Sequence, residues 1–336
     1  MSTVERQIAE RARKHPDSPL TNLHQFIDER FLWLCFKGLK RKSSAGTDSV
    51  TWEDYKEEIE ISIPWLLSDF KRGTFRAPNI RRTYIPKGDG KLRPLGIPTT
   101  EDKVLQSAVS TVLTPIYDNL FYDFSYGFQK DKRAHFALDD ISYSIRKHKC
   151  MYIIDADMQD YFGSIDHGHL RSFLDKRIKD GVIRKMIDKW LKAGVLDKGN
   201  IIYPESGTPQ GGIISPLLSN IYLHYVLDEW FVKDIQPLLK EGSFIVRYAD
   251  DFVLGFSCRE DAERVLSVLP KRLGKYGLTL HPEKTCLVYL GADKNNDRGT
   301  FDFLGFTHYM GKTRKGYPCL KRRTAKKRLS RSLNAM

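Results

Sequence analysis

The sequence contains few cysteines, and none is spaced as in a zinc site or a disulfide framework. The five residues Cys35, Cys150, Cys258, Cys286 and Cys319 are scattered and odd in number. Such a pattern indicates reduced thiols. The chain also lacks an apolar signal core at its N-terminus, and its apolar runs are too short to span a bilayer. We therefore expect no membrane association and a cytoplasmic location.

Acidic residues are outnumbered by basic ones, which gives a net charge of +13 over 336 residues. Ten Lys or Arg and no acid lie in residues 311–336, so this segment carries most of the excess. The imbalance predicts a polyanionic partner, and phosphate contacts of this segment should weaken with salt. The alternative for the last ten residues is a disordered basic end. The length allows two or three subdomains around a sizeable core.

Two adjacent carboxylates interrupt an apolar stretch at Tyr248-Ala249-Asp250-Asp251, between residues 243–247 and 252–256. The flanks predict two buried strands, and the acids would lie at the tip of their hairpin. Carboxylates beside an apolar layer are costly unless they are neutralised, and a divalent cation neutralises them well. The pattern therefore indicates a metal site for phosphoryl or nucleotidyl transfer. The alternative is an ordinary turn, because Asp is a common turn residue.

A second acidic segment, residues 150–158, is an apolar strand that ends in Asp155, Ala156 and Asp157. Residues two apart on a strand share a face, so both carboxylates should project together. A pair of catalytic cations requires carboxylates from more than one backbone segment. Asp157 is therefore predicted to be a metal ligand, whereas Asp155 is a neighbour or a solvated acid.

A glycine-rich loop lies between the two acidic segments, at residues 207–216, and precedes an apolar helical stretch over residues 217–232. Glycines before a helix allow the backbone to approach a substrate, and a helix start attracts phosphates. The alternative is an ordinary loop and helix start.

The remaining pattern alternates helices and strands. We expect a helix over residues 22–36, and another over 52–70 that is capped by Thr51 and Asp54 and kinked or split by Pro64. A strand pair should flank the turn at residues 88–90. A helix over residues 260–276 should pack beneath the acidic sheet, with the acids on one face and helices on the other.

With these segments in this order, the chain resembles reverse transcriptases, and more closely those encoded by bacterial group II introns. The resemblance runs from about residue 45 to residue 327. Its eight blocks are residues 45–51, 85–98 and 125–128, the acidic strand, the glycine-rich loop, the Tyr-Ala-Asp-Asp turn, and residues 277–285 and 301–306.

The resemblance implies an α+β right-hand polymerase fold with fingers and palm subdomains and a partial thumb. Residues 1–66 would form an N-terminal extension and the start of the fingers. Residues 67–308 would form the reverse transcriptase domain of fingers and palm. Residues 309–336 would form the basic start of a truncated thumb.

The resemblance also implies the chemistry. Asp157, Asp250 and Asp251 would hold two Mg²⁺ ions, for which Mn²⁺ could substitute, and the backbone carbonyl of Met158 would be a further ligand. The enzyme would be an RNA-directed DNA polymerase that extends a DNA or RNA primer on an RNA template with dNTPs. Intron RNA would be a further partner.

Five residues would bind the incoming nucleotide. Lys87 and Arg93 match basic residues that grip the triphosphate, as suits a charged Lys and a forked Arg. Phe162 matches an aromatic residue that closes over the sugar 2′ position, Gln210 a nucleotide contact, and Lys284 a general acid for pyrophosphate release. The alternatives are solvated basic residues beside a hairpin, a core Phe, a polar loop residue and a surface Lys.

The chain also departs from the family pattern. Gly163 stands where Asp is common, and Gln129-Lys130-Asp131 replaces the usual Arg-Pro-Gly, which puts a template or backbone contact there in question. The chain ends at Met336, where the resemblance expects a thumb and maturase region. Two alternative functions are an RNA-binding maturase-type splicing cofactor and a defence-associated reverse transcriptase.

Overall fold

In a computed structural model of the chain, the described residues are 3–86, 92–208, 211–291, 299–326 and 328–330. The α-helices are α1 Thr3–Lys14, α2 Glu29–Gly38, α3 Trp52–Glu57, α4 Ile59–Arg72, α5 Thr100–Tyr117, α6 Ala134–His148, α7 Tyr161–Ser164, α8 His167–Asp175, α9 Gly181–Leu191, α10 Ser215–Leu223 and α11 Arg259–Gly274. The strands are β1 Ile80–Pro86, β2 Leu92–Ile97, β3 Tyr152–Ala156, β4 Met158–Gln159, β5 Val195–Asp197, β6 Asn200–Ile202, β7 Ser243–Tyr248, β8 Asp251–Phe256, β9 Thr279–Leu280, β10 Cys286–Tyr289, β11 Thr300–Phe303, β12 Phe306–Lys312 and β13 Pro318–Thr324. Two π-helical turns, His224–Asp228 and Trp230–Ile235, continue α10. Short 3₁₀ helices span Leu23–Phe26 and Gln236–Leu238.

The predicted continuous helix over residues 22–36 is wrong at its start. Leu23–Phe26 forms only a 3₁₀ turn, and the backbone at Ile27 is extended. α2 begins at Glu29 because the Asp28 carboxylate accepts a 2.7 Å hydrogen bond from the backbone N–H of Phe31. This side-chain cap satisfies a free N–H of the first helical turn, which favours a helix start at this point.

The cap predicted at Thr51 is confirmed, but the break in the following helix is not at Pro64. Thr51 and Asp54 form a reciprocal capping box. The helix divides at Glu58 into α3 and α4, and Pro64 lies within α4. Pro64 is the sixth residue of α4, so its missing N–H removes a single bond near the helix start without breaking it.

The chain divides into two compact units, Met1–Phe121 with Phe162–Tyr222, and Tyr122–Tyr161 with Leu223–Met336. The subdomain boundaries expected from the resemblance remain a prediction.

In the first unit, α1 and α2 pack on α5, and a four-stranded sheet has the order β2-β1-β5-β6. β1 and β2 are antiparallel, with Ile85 opposite Arg93, so the strand pair predicted around residues 88–90 is confirmed. The turn itself lies outside the described residues.

The second unit contains an antiparallel sheet of order β10-β3-β8-β7 and a three-stranded sheet of order β11-β12-β13. Ile153 and Val253 pack in one core with Ile141 of α6 and Phe301 of β11. α11 contacts β3 and β8 and begins and ends close to its predicted bounds.

Helices cover both faces of the β10-β3-β8-β7 sheet, which corrects the expectation of acids on one face and helices on the other. Asp155 lies opposite Val253, and Val253 packs in the core that contains α6. The acids therefore lie on the same face of the sheet as the core that α6 covers. They lie just beyond the end of that apolar core.

The mixture of helices with largely antiparallel sheets confirms the α+β class. Among the described residues, no helix combines the length and the apolar composition needed to cross a membrane.

Candidate metal and nucleotide sites

The acidic turn forms as predicted from the sequence. β7 and β8 pair up to Tyr248 and Asp251, which leaves Ala249 and Asp250 as a two-residue hairpin turn. Ala249 has a φ of 57°, in the left-handed region that two-residue turns require. Asp250 is half-buried and Asp251 is exposed.

Gly127 lies directly against this turn. A Cβ atom at Gly127 would be 2.2 Å from the backbone nitrogen of Ala249, so any side chain at this position would displace the turn. The adjacent backbone is fixed to β7, because the N–H of Tyr126 donates to the carbonyl of Arg247 at 2.8 Å. The block at residues 125–128 therefore supports the backbone that carries the acids.

Arg247 and Asp228 form a fully buried ion pair next to the turn, with neither side chain exposed. Arg247 Nε donates to Asp228 Oδ1 at 2.8 Å and Nη2 donates to Oδ2 at 2.5 Å. Its Nη1 donates to the carbonyl of Ala249 at 3.0 Å. Burial raises the pKa of Asp228, against the opposing effect of Arg247. The sequence analysis missed this pair, although an Arg inside the apolar run of residues 243–256 was a signal for it.

Four carboxylates of the second unit line one cleft of about 280 Å³. β3 and β8 pair Ala156 with Phe252, and this register sets Asp157 beside Asp251. Asp155 and Asp302 complete the acidic lining, and Lys284 lies with them. Asp302 was not predicted from the sequence. Its position between Phe301 and Phe303, the two buried residues of β11, was the sequence feature that could have indicated it.

The carboxylates act on one another. Burial, followed by the charges of Asp251, Asp302 and Asp157, raises the pKa of Asp155 to about 7. The ammonium of Lys284 pairs with the carboxylate of Asp157. The carboxylate oxygens lie close together, and their mutual repulsion is only partly compensated. Oxygen ligands of this kind suit a hard divalent cation.

The cleft is not a closed coordination site. Within the part of the chain that the structure describes, no three carboxylate, imidazole or thiol groups are placed to hold one ion. The cleft brings together Asp157, Asp251 and Lys284 of the predicted residues. Asp250 lies in the turn next to Asp251, and Met158 begins β4 opposite Leu280.

Of the residues predicted to bind a nucleotide, Arg93 and Phe162 belong to the first unit. Arg93 is exposed on β2. Gly211 packs on the same strand with a φ of +110°, and a Cβ there would be 2.3 Å from the carbonyl oxygen of Gly96. The glycine-rich loop and the Arg93 strand are therefore in contact, as Gly at position 211 allows. Lys87 and Gln210 lie outside the described residues.

Phe162 is buried, with 8% of its surface exposed, and its backbone holds the glycine-rich loop. Its carbonyl accepts from the N–H of Thr208 at 2.8 Å, and the carbonyl of Ile165 accepts from Gly207 at 2.7 Å. A Cβ at Gly207 would be 2.9 Å from the Cα of Gly163. The loop thus packs against Gly163, one of the positions at which this chain departs from the family pattern.

Comparison with known proteins identifies the family of the chain. Residues 85–308 match the family model described as reverse transcriptase (RNA-dependent DNA polymerase). The chain belongs to the reverse transcriptase family. The matched region contains Asp157, Asp250, Asp251 and the glycine-rich loop.

Relatives place this reverse transcriptase with proteins of group II introns. It is 35% identical over 226 residues to the group II intron-encoded protein LtrA of Lactococcus lactis subsp. cremoris, which covers 67% of this chain and 37% of that protein. It is 30% identical over 287 residues to protein YkfC of Escherichia coli K12, which covers 76% of this chain and 75% of YkfC. It is 32% identical over 279 residues to the putative COX1/OXI3 intron 2 protein of Saccharomyces cerevisiae, covering 82% of this chain and 31% of that protein.

The chain thus spans little more than a third of the length of the Lactococcus lactis relative. Reverse transcriptases use divalent metal ions and act on a nucleic-acid template and primer. The oxygen-rich cleft of the second unit fits the first of these properties.

Proposed function

We propose that this protein is an RNA-directed DNA polymerase of a group II intron retroelement, which extends a primer on an RNA template with dNTPs. The observation that carries the proposal is the cleft in which Asp157 and Asp251, from the ends of two paired strands, lie together. The membership of the family, with matches to intron-encoded proteins, supports the same function.

Asp157, Asp250 and Asp251, with the carbonyl of Met158, would hold two Mg²⁺ ions or Mn²⁺ in their place. When bound, the ions would activate the primer 3′-hydroxyl and neutralise the leaving pyrophosphate. Lys284 supplies a proton to the pyrophosphate. Its ion pair with Asp157 supports this role, because it places the ammonium at the cleft.

The nucleotide is bound by four further residues. Arg93, with Lys87, grips the triphosphate, and Gln210 contacts the incoming nucleotide. Phe162 favours deoxyribose by closing over the sugar 2′ position. The exposure of Arg93 and the packing of the glycine-rich loop on β2 support this assignment.

Template, primer and intron RNA are bound in part by the basic segment at the end of the chain. β12 and β13 form a hairpin on which Lys312, Lys321 and Arg323 are exposed. Arg322 is paired with Asp139 at 2.8 Å. Solvated basic side chains on a strand pair suit phosphate contacts, which should be salt-dependent.

The test is primer extension on a poly(rA)/oligo(dT) duplex with labelled dTTP and Mg²⁺. The wild type should extend, and both EDTA and Asp250→Asn should abolish extension, because the substitution removes a metal ligand. The matched control is Glu263→Gln, an exposed acid of α11 paired with Arg259, which should extend normally.

Duplex binding measured by filter retention separates catalysis from binding. Asp250→Asn should bind the duplex nearly as well as the wild type, since the basic contacts remain. A variant that loses binding to the same degree as activity, or a wild type that binds without extending, would contradict the proposal.

A further inference from the structure

Asp102 is a buried carboxylate of α5, outside the acidic cleft. Only 1% of its surface is exposed. Its Oδ1 accepts a 2.6 Å hydrogen bond from the indole Nε1–H of Trp190 on α9. Its Oδ2 accepts a 2.8 Å bond from the side-chain Nε2 of Gln106, one turn along the helix. Both partners are uncharged donors.

Gln106 connects this carboxylate to the glycine-rich loop. Its Oε1 accepts from the backbone N–H of Ile214 at 3.4 Å, a long hydrogen bond. The orientation of the amide is set by chemistry, because an indole N–H and a peptide N–H can only donate. Gln106 must therefore turn its NH₂ group to Asp102 and its oxygen to Ile214. Ile214 lies three residues after Gly211, immediately before α10.

We propose that Asp102 is a positioning residue for the nucleotide-binding loop, and that its ionised form, acting through Gln106, holds the loop in the arrangement that binds the incoming dNTP. The inference rests on the proposed function of that loop. Asp102 itself touches no substrate.

If Asp102 took up a proton from water, the hydrogen bonds that link Asp102 through Gln106 to Ile214 would have to change direction. The carboxyl Oδ2 would become a donor, because Oδ1 must still accept from Trp190. Gln106 would have to rotate its amide so that its oxygen accepts from Asp102. Its NH₂ would then face the N–H of Ile214, and the bond to the loop would be lost.

The surroundings place this titration near neutrality. Burial raises the pKa of Asp102 to about 7, against the lowering effect of the Trp190 and Gln106 bonds and with a smaller raising effect of Glu101. Other titratable groups at this end of α5 are Tyr55 of α3, which faces Glu101, and Lys103, which donates to the carbonyl of Ser44 at 2.6 Å. Asp48 acts on Glu101 and Lys103.

The experiment measures the KM for dTTP and kcat in the primer-extension assay between pH 6.0 and 8.5, for the wild type and Asp102→Asn. The oxygen of Asn must accept from Trp190, so its NH₂ group faces Gln106. The variant therefore reproduces the hydrogen bonding of protonated Asp102 at every pH. The ratio of the variant KM to the wild-type KM should be about 5 at pH 8.5, the effect of one hydrogen bond, and should fall to about 1 at pH 6. Titration of the nucleotide cancels in this ratio, and kcat should change less than KM.

Two further variants separate positioning from core packing. Gln106→Leu should raise KM like Asp102→Asn, and the double variant should be no worse than either single variant. Trp190→Phe removes a bond that lowers the pKa of Asp102, so it should move the midpoint of the wild-type pH profile upward.

Hydrogen exchange of the peptide spanning residues 211–216 gives a readout that does not depend on activity. At pH 8, exchange should be faster in Asp102→Asn than in the wild type, measured on the protein alone. A KM ratio of 1 at pH 8.5, or a ratio that is constant with pH, would overturn the inference. If the wild type extends no primer, the proposed function fails, and unchanged exchange in the variant would separately overturn the inference.

Discussion

Asp102 of the first unit and Asp228 of the second are both fully buried carboxylates, yet their surroundings differ. Asp228 accepts two hydrogen bonds from the guanidinium of Arg247, whereas the side chains that donate to Asp102, among the described residues, are the indole of Trp190 and the amide of Gln106. Each supports a backbone segment that carries predicted site residues. Burial raises the pKa of both carboxylates, but the charge of Arg247 opposes the rise at Asp228, whereas neutral hydrogen bonds oppose it at Asp102. The support that Asp102 gives should therefore depend more strongly on pH than the support that Asp228 gives.

The largest expected effect is that of Asp228→Asn. The substitution leaves the Arg247 cation buried without a counter-charge, and such a loss costs about 3–5 kcal/mol. We expect a corresponding fall in the free energy of unfolding, measured by urea denaturation at pH 8. A loss below 1 kcal/mol would show that the buried pair contributes no more than an exposed one.

Gly127→Ala should have the next largest effect, about 1–3 kcal/mol, as expected for overpacking. The new Cβ would be 2.2 Å from the nitrogen of Ala249 and would push the turn that carries Asp250. Thermal unfolding and primer extension should both be impaired. Gly274→Ala is the matched control, because a Cβ at Gly274 would have no described atom within 4 Å apart from its chain neighbours and the backbone of its own helix, and it should leave both unchanged.

Asp102→Asn should change stability in the opposite direction to Asp228→Asn. The pKa of Asp102 is raised from 3.8 to about 7 in the folded protein, so the contribution of this group to stability is fully present below pH 3.8 and is lost as pH rises to about 7. The variant lacks this loss and should be more stable than the wild type at pH 8 by about 1–2 kcal/mol. Urea denaturation at pH 5 and pH 8 measures it, and a variant less stable than the wild type at pH 8 would remove the contrast between the two sites.

The smallest effect is expected for Arg259→Ala, which breaks the exposed pair with Glu263 on α11. Pairs of this kind contribute about 0.3–0.5 kcal/mol, and less at high salt. Urea denaturation at low and high salt measures the free energy of unfolding of this variant. A small loss that shrinks with salt would show that the Asp228 pair is costly to break because it is buried, and not because its charges are opposite. A loss comparable to that of Asp228→Asn would contradict this explanation.

The acidic hairpin was predictable because its information is local. Residues 243–256 contain both strands and the turn, and alternation alone puts Asp155 and Asp157 on one face. Asp302 required knowledge of how β11 approaches the other strands. The Asp102 and Trp190 pair joins residues 88 positions apart, and the Gln106 bond to Ile214 spans 108 positions. Neither is visible in a periodic pattern, because only the packing of helices selects the partner.

The break before α2 has a different cause. Apolar periodicity over residues 22–36 is satisfied by both a continuous helix and a 3₁₀ turn followed by a helix. The choice depends on the hydrogen bond from Phe31 to Asp28, a local competition between side chain and backbone that hydrophobic spacing does not register.

The π-helical turns after α10 carry a consequence for how this sequence can evolve. In the first turn the N–H of Glu229 bonds to the carbonyl of His224, five residues back, as after the insertion of one residue into an α-helix. Deleting one residue from His224–Asp228 would restore regular spacing but rotate position 228 by roughly 100° about the helix axis, away from Arg247. The length of this segment should therefore be kept in descendants, because a deletion would separate Asp228 from Arg247.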